Sequence, residues 1–161
     1  MSEQDWKALL ANLNIITNGD KVTPVSTETL VTFERKQGIK LPSSYRSYCR
    51  VFGAGQFANL FNIAIPGYSG RSPTYSVEYL SNSQIELADQ LAELGTDASQ
   101  IKRSIFFSFD LIGSNHFFDP EDITDKHKTE YAVYTLFRNC DVQRSAIYFW
   151  EFITLSCLGN K

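Results

Sequence analysis

The groups able to do chemistry in this 161-residue chain are few and scattered. Its two histidines are His116 and His127. Neither has a histidine four residues away or a cysteine beside it, the spacings that bring zinc ligands together locally. His116 precedes Phe117-Phe118 and reads as a sheet residue with a local hydrogen bond. Asp119, Glu121, Asp122 and Asp125 offer oxygen ligands of the kind calcium takes. Pro120 interrupts the spacing of a calcium loop and no glycine sits at its centre. The stretch reads as a solvated loop in which Asp119 or Asp122 caps a turn. A protein-facing acidic surface is the functional alternative.

Nucleophiles and phosphate-binding loops are equally undeveloped. Gly53-Ala54-Gly55 lacks the Gly-Lys-Ser/Thr that completes a phosphate loop and the third glycine of a dinucleotide fingerprint. It follows a helical pattern and reads as a chain reversal. Ser69-Gly70 and Ser156-Cys157 lack the glycine-flanked elbow of a hydrolase. Pairing His116 with Cys49 or Cys140, or joining Asp110 to Asp119 for acid–base work, requires a convergence that spacing does not imply. The expectation is a chain that is not an enzyme and carries neither metal nor cofactor.

Charge narrows the partners. The net charge is -3, and non-specific nucleic-acid binding needs a positive surface that displaces counterions. Arg46 and Arg50 share one helix face, and Lys102-Arg103 precedes a Phe-rich segment, a pairing that can serve single strands. The simpler reading leaves the arginines on the wet side of a helix and the phenylalanines in the core, so direct nucleic-acid binding is not expected. Residues 110–130 instead concentrate Asp110, Asp119, Glu121, Asp122, Asp125 and Glu130 against Lys126 and Lys128, a surface that attracts a basic partner. No apolar run approaches the length of a membrane span, and the start, Met1-Ser2-Glu3-Gln4-Asp5, has no secretory pattern. A cytoplasmic location is expected. Cys49, Cys140 and Cys157 fit it as buried reduced thiols.

The elements that would position these groups are legible from periodicity. Trp6, Leu9, Leu10, Leu13 and Ile16 make a helix stripe closed by Asn18-Gly19-Asp20. Ser26 or Thr27 caps a second helix that Gly38 stops. Pro42 opens a third, with Ser43 or Ser44 as its cap and Tyr45, Tyr48, Cys49 and Phe52 inward, before Gly53-Ala54-Gly55 ends it. Phe57 to Ile65 reads as one or two strands, and 67–74 as a surface loop. A long helix follows from about Val77 to Leu94, with Ser81-Asn82-Ser83 separating its first turn and Gly95 stopping it. Ile105–Phe109, His116–Phe118 and Tyr131–Phe137 read as strands, with Asp119-Pro120-Glu121-Asp122 leaving the sheet. Residues 144–158 read as a closing helix. The order of elements and the short turns between strands imply an α+β fold with antiparallel neighbours, in one domain spanning 1–161.

The passage from Glu34 to Gly55 carries a resemblance. A helix ending at Gly38, then Leu41-Pro42, a helix with Tyr45, Tyr48 and Phe52, and the stop at Gly53 to Gly55 resemble the SMI1/KNR4 superfamily, also called SUKH. Phe109-Asp110, Phe118-Asp119, Val133-Tyr134 and Phe149 to Phe152 resemble its later strands and closing helix, so the likeness covers roughly 26–158. It implies a mostly antiparallel sheet flanked by helices and no shared catalytic set. It also implies, for bacterial members, an immunity protein that binds a cognate toxin of nuclease or deaminase type and covers its active site. The alternative is an intracellular regulatory or scaffold module without a toxin. For the immunity reading, the candidate contacts are Tyr68, Arg71 and Tyr75 as anchors, and Asp119, Glu121, Asp122, Asp125 and Glu130 as an acidic counter-surface.

Overall fold

Short strands, most of them largely apolar and buried on both faces, build one six-stranded antiparallel sheet whose strands lie in chain order. The strands are β1 (Gly55–Phe57), β2 (Phe61–Ile63), β3 (Ile105–Asp110), β4 (Asn115–Asp125), β5 (Glu130–Leu136) and β6 (Val142–Ala146). The computed structural model describes residues 2–11, 23–57 and 60–159. The expected stripe residues Leu13 and Ile16, and the stop at Asn18-Gly19-Asp20, lie outside the described residues. The fold is α+β, an antiparallel sheet flanked by helices.

Two Phe-Phe pairs explain how the sheet holds a layer on each side. Successive strand side chains point to opposite faces. Phe107 and Phe118 stack on one face with centroids 4.2 Å apart, and Phe106 and Phe117 meet on the other at 4.8 Å. The first face receives α1 (Glu3–Leu10) and α3 (Ser43–Val51) through Trp6, Tyr45 and Tyr48, together with Phe149. The second packs under α4 (Val77–Glu93) and α5 (Ser99–Arg103). All four phenylalanines have no exposed surface. Truncating any one to alanine costs about 3–5 kcal/mol.

Helix ends follow chemistry that is mostly local. Ser2 and Asp5 form a reciprocal capping box on α1. Ser26 Oγ accepts the Thr29 amide at the start of α2 (Thr27–Gln37), and Gly38, at φ 68°, ends it in the left-handed region. The start of α3 differs from expectation. Neither Ser43 nor Ser44 caps it through its own side chain. Glu130 Oε1 on β5 accepts the Ser44 amide at 2.8 Å, and the Thr129 carbonyl accepts the Ser43 amide at 3.0 Å. A strand from the far end of the chain thus satisfies the free amides of this helix.

Other departures have similar causes. Ser81 and Ser83 do not break α4. The Ser81 hydroxyl accepts the Phe106 amide at 3.1 Å, and Ser83 donates to the Tyr79 carbonyl at 3.0 Å. Asp119-Pro120-Glu121-Asp122 does not leave the sheet. β4 continues to Asp125, with its register to β5 shifting between Phe118 and Ile123, an irregularity that accommodates a proline lacking an N–H. Residues 142–146 form β6, so the closing helical segment starts only at α6 (Phe149–Glu151) and continues as a π-helical turn over Phe152–Cys157. The short α5 had no clear periodic signal. Cys140 is exposed in the β5–β6 turn, whereas Cys49 and Cys157 are buried.

Candidate protein-binding cleft

The segment after β2 doubles back on the entry to α2 and encloses a cleft of about 480 Å³. Its base is a single parallel bridge between Ile65 and Ser76. The Ile65 amide donates to the Tyr75 carbonyl at 2.9 Å and the Val77 amide to the Ile65 carbonyl at 3.2 Å, so the intervening loop is pinned at both ends. One wall is Pro66 to Gly70 with Tyr75. The other is Thr23 to Ser26 with Thr29, and Ala54-Gly55 close the floor. Gly53 permits this second wall. At φ 73°, a Cβ there would lie 2.2 Å from the Thr23 carbonyl oxygen. Gly70 likewise gives room to Tyr68, whose hydroxyl would sit 2.1 Å from an added Cβ.

Tyr68 and Tyr75 are the two aromatic side chains of the cleft. Their rings lie 5.7 Å apart at 58°. The Tyr75 hydroxyl donates to Asn62 Oδ1 at 3.1 Å, and Asn62 is buried. Among the described residues, no lysine, arginine, aspartate or glutamate lines the cleft. Such a surface suits neutral apolar groups with hydroxyls or amides, and half-buried tyrosines are common anchors at protein interfaces. Arg71 lies on the exposed crest of the same loop and does not line the cleft. Ser26 and Thr29, absent from the expected contacts, line it. Ser26 signalled only a helix cap and Thr29 carried no signal, and only the return of 66–70 onto α2 makes them part of a cleft.

The acidic group behaves differently. Asp119 is 2% exposed and accepts both Arg103 Nε and Nη2, at 2.9 and 2.8 Å, with Gln100 Nε2 at 3.0 Å. Burial would raise its pKa, yet these donors and the Glu121 amide hold it below the ordinary aspartate value. Glu130 is 4% exposed and accepts the Ser44 amide and hydroxyl. Burial pushes its carboxyl above the ordinary value despite those bonds. Neither carboxylate can meet a partner, which corrects the expectation that they belong to an acidic counter-surface. Glu121 is exposed beside Arg103 at 3.2 Å. Asp122 accepts the Tyr134 hydroxyl at 2.8 Å and pairs with Arg144 at 3.4 Å. Asp125 accepts the His127 and Lys128 amides at 2.9 and 3.1 Å in the β4–β5 turn. The surviving surface is smaller and partly neutralised.

Apart from exposed Cys140, most of the remaining reactive types are spent internally. His116 Nδ1 meets Thr135 Oγ1 at 3.0 Å, its Nε2 faces Asp110 Oδ2 at 3.6 Å, and Thr135 also hydrogen-bonds Ser145. Burial lowers the pKa of His116, and its nearest polar partners are not cysteines. Burial raises the Cys49 and Cys157 thiols well above their ordinary values, which disfavours the nucleophilic thiolate. Arg46 pairs with buried Glu34, Arg50 with Glu3 at 2.7 Å, and Lys102 with Asp89 at 2.6 Å. Among the described residues, no three of His, Cys, Asp and Glu are grouped to hold a metal ion, and no helix is long and apolar enough to cross a membrane.

A family model, that of the SMI1 / KNR4 family (SUKH-1), matches residues 24–155. The match includes both walls of the cleft apart from Thr23, and every candidate contact named above. No curated protein matches the chain.

Proposed function

The chain belongs to the SMI1/KNR4 family (SUKH-1), and from that premise we propose that it is an immunity protein, binding a cognate bacterial toxin and covering its active site. The family points to a protein-binding role. The observation that carries the finer reading is the cleft flanked by Tyr68 and Tyr75, whose described lining is uncharged. It is concave enough to take a protruding loop of a partner and offers two aromatic anchors at its wall. Arg71 on the crest adds a third contact. Glu121, Asp122 and Asp125 supply a separate, partly neutralised acidic surface that favours the phosphate-binding surface of a nuclease or deaminase. The domain acting in this way spans residues 1–161 and works in the cytoplasm, without a cofactor and without chemistry of its own.

The test is co-purification of the tagged protein with the product of an adjacent toxin gene, followed by assay of the captured toxin. A stoichiometric complex with toxin activity abolished is the expected result. Capture without loss of toxin activity excludes occlusion, and the absence of any toxin partner moves the chain to the scaffold class. Reversing Glu121, Asp122 and Asp125 together is expected to weaken the complex at least tenfold at low salt. Unchanged affinity would remove the acidic surface from the mechanism.

A further inference from the structure

The wall of the cleft that carries Tyr68 is held by a carboxylate that does not itself line the cleft. Glu78 stands in the first turn of α4, where a negative charge suits the amide end of a helix. Its place in the chain implies no more than that. In the structure its side chain turns away from the helix and meets the loop. Glu78 Oε1 accepts the Gly67 amide at 3.0 Å, with Oε2 3.3 Å from the same nitrogen. Oε2 also accepts the Ser76 hydroxyl at 2.8 Å, and Ser76 Oγ in turn accepts the Tyr79 amide at 3.3 Å. The cap of α4 thus orients the carboxylate that reaches the loop. Val77 and Leu80, both buried, anchor that turn of α4 in the core and give the hold a fixed base.

Gly67 is the point at which this hold sets the width of the cleft. Its φ is 67°, in the left-handed region that favours glycine, and a Cβ there would lie 2.6 Å from Thr29 Cγ2. The loop backbone is therefore pressed against α2 at Gly67, and the bond to Glu78 keeps it there. Tyr68 follows directly. Its ring turns back over Gly70 and meets Tyr75 at 5.7 Å. Beyond Tyr68 the loop has little support of its own. Among the described residues, no backbone–backbone hydrogen bond involves Ser69, Gly70 or Arg71. The next tie is Ser72, whose carbonyl accepts the Tyr75 amide at 3.2 Å and whose hydroxyl lies 2.7 Å from Thr74 Oγ1. Between the two ties stand Tyr68 and Arg71, the contacts proposed on this loop.

We propose, on the reading that the cleft is where a toxin docks, that Glu78 is a positioning residue for that site. By holding Gly67 against Thr29 it fixes the wall that carries Tyr68 before the partner arrives. A charged acceptor makes the stronger hydrogen bond to an amide, which suits a single bond that must restrain a whole loop. A wall ordered in advance spares the complex part of the entropy of ordering it on contact. Glu78 acts only through Gly67 and Tyr68. Without it the loop is tied at the Ile65 bridge and at Ser72, and Tyr68 is released from its place beside Tyr75.

Amide hydrogen exchange of the free, full chain, followed residue by residue by NMR, tests the hold without any partner. Glu78→Ala is expected to speed exchange of the Gly67 amide about tenfold or more while the amides of β3, β4 and β5 keep their rates. The same variant is expected to weaken the nuclear Overhauser contacts between the Tyr68 and Tyr75 rings. Glu78→Gln keeps an oxygen acceptor, so Gly67 exchange is expected to stay within about threefold of wild type. A role confined to the charge at the helix end would not show that rescue, because alanine and glutamine are equally neutral. With the captured toxin, calorimetry is expected to find Glu78→Ala binding about fivefold more weakly and Glu78→Gln close to wild type. Unchanged Gly67 exchange in Glu78→Ala, a glutamine variant no better than alanine, or faster exchange spread evenly over the sheet would each overturn the proposal. So would wild-type toxin affinity in Glu78→Ala when the Tyr68→Ala, Tyr75→Ala double variant has lost it. If that double variant also binds like wild type, the docking reading fails, and with it the role of Glu78 in binding, while the exchange rates still report whether Glu78 holds the wall.

Discussion

The Leu41-Pro42 junction and the cleft beneath residues 66–70 divide the labour of this molecule. At the junction, three distant segments meet through buried carboxylates. Glu34 accepts the Leu41 amide at 2.9 Å and pairs with Arg46, while Glu130 holds the start of α3. These groups are enclosed and the hydrogen bonds they make serve the fold, while Glu34 Oε2 makes none and faces Lys40 Nζ at 3.6 Å. At the cleft, among the described residues, the polar atoms are hydroxyls, amides and carbonyls, no lining residue is charged, and the tyrosines are half-buried. The contrast teaches that the most distinctive part of the sequence here is architectural. The surface available to a partner lies on a loop with a plainer sequence, held by a bridge of one residue pair.

The largest expected effect breaks the junction. Glu130→Ala leaves the Ser44 amide and hydroxyl buried without an acceptor, and is expected to lower unfolding free energy by about 2–3 kcal/mol in urea titrations. Glu130→Gln keeps an acceptor and is expected to cost roughly half as much. Glu34→Ala removes the partner of Arg46 and the acceptor of the Leu41 amide. Because Arg46 is partly exposed and can turn to water, about 2 kcal/mol is expected. Partner affinity, once a partner is in hand, should change little in any of these variants at temperatures where they remain folded.

The cleft should show the reverse pattern. Tyr68→Ala with Tyr75→Ala is expected to weaken partner binding at least tenfold, read by calorimetry, with stability changed by about 1 kcal/mol or less. A binding loss that merely follows a loss of stability would erase the contrast between the two regions.

The subtlest prediction separates the two junction carboxylates by pH. Burial opposes ionisation of Glu34, but the Arg46 and Leu41 hydrogen bonds outweigh it and its pKa is lowered. Its stabilisation is therefore present above the unfolded value of about 4.5 and is lost as pH falls through the folded value. Glu130 has the opposite shift, because burial outweighs its hydrogen bonds. Its contribution is complete below about 4.5 and declines as pH rises through its folded value. Urea titrations between about pH 3 and 7 should thus find that the cost of Glu34→Gln grows with pH and that of Glu130→Gln shrinks. Binding at the cleft should stay flat between about pH 5 and 8, since its described lining residues include no carboxylate, imidazole or amine side chain.

Much of this architecture was written locally. The first part of the stripe, Trp6 to Leu10, the cap at Ser26, the stop at Gly38, the Pro42-started helix and the Phe-Phe strands depend on spacing and backbone preference, and each appears at its expected place. Those signals sufficed for an α+β antiparallel fold because neighbouring strands are joined by short turns, except for the helical insertion between β2 and β3. β6 escaped because its polar edge residues have no alternating apolar pattern, while the aromatics that follow mimic helical spacing. The fates of the carboxylates were decided only in three dimensions. Asp119 and Glu121 stand two residues apart, yet α5 brings Arg103 and Gln100 over the first and leaves the second in water. Glu130 looked like one more surface acid until the amide end of α3 arrived to use it. The sequence by itself determined which segments coil, extend and turn, since those choices are made by neighbours in the chain. Tertiary structure alone decided which polar groups stay reachable, because desolvation and hydrogen-bond partnership depend on segments many residues away.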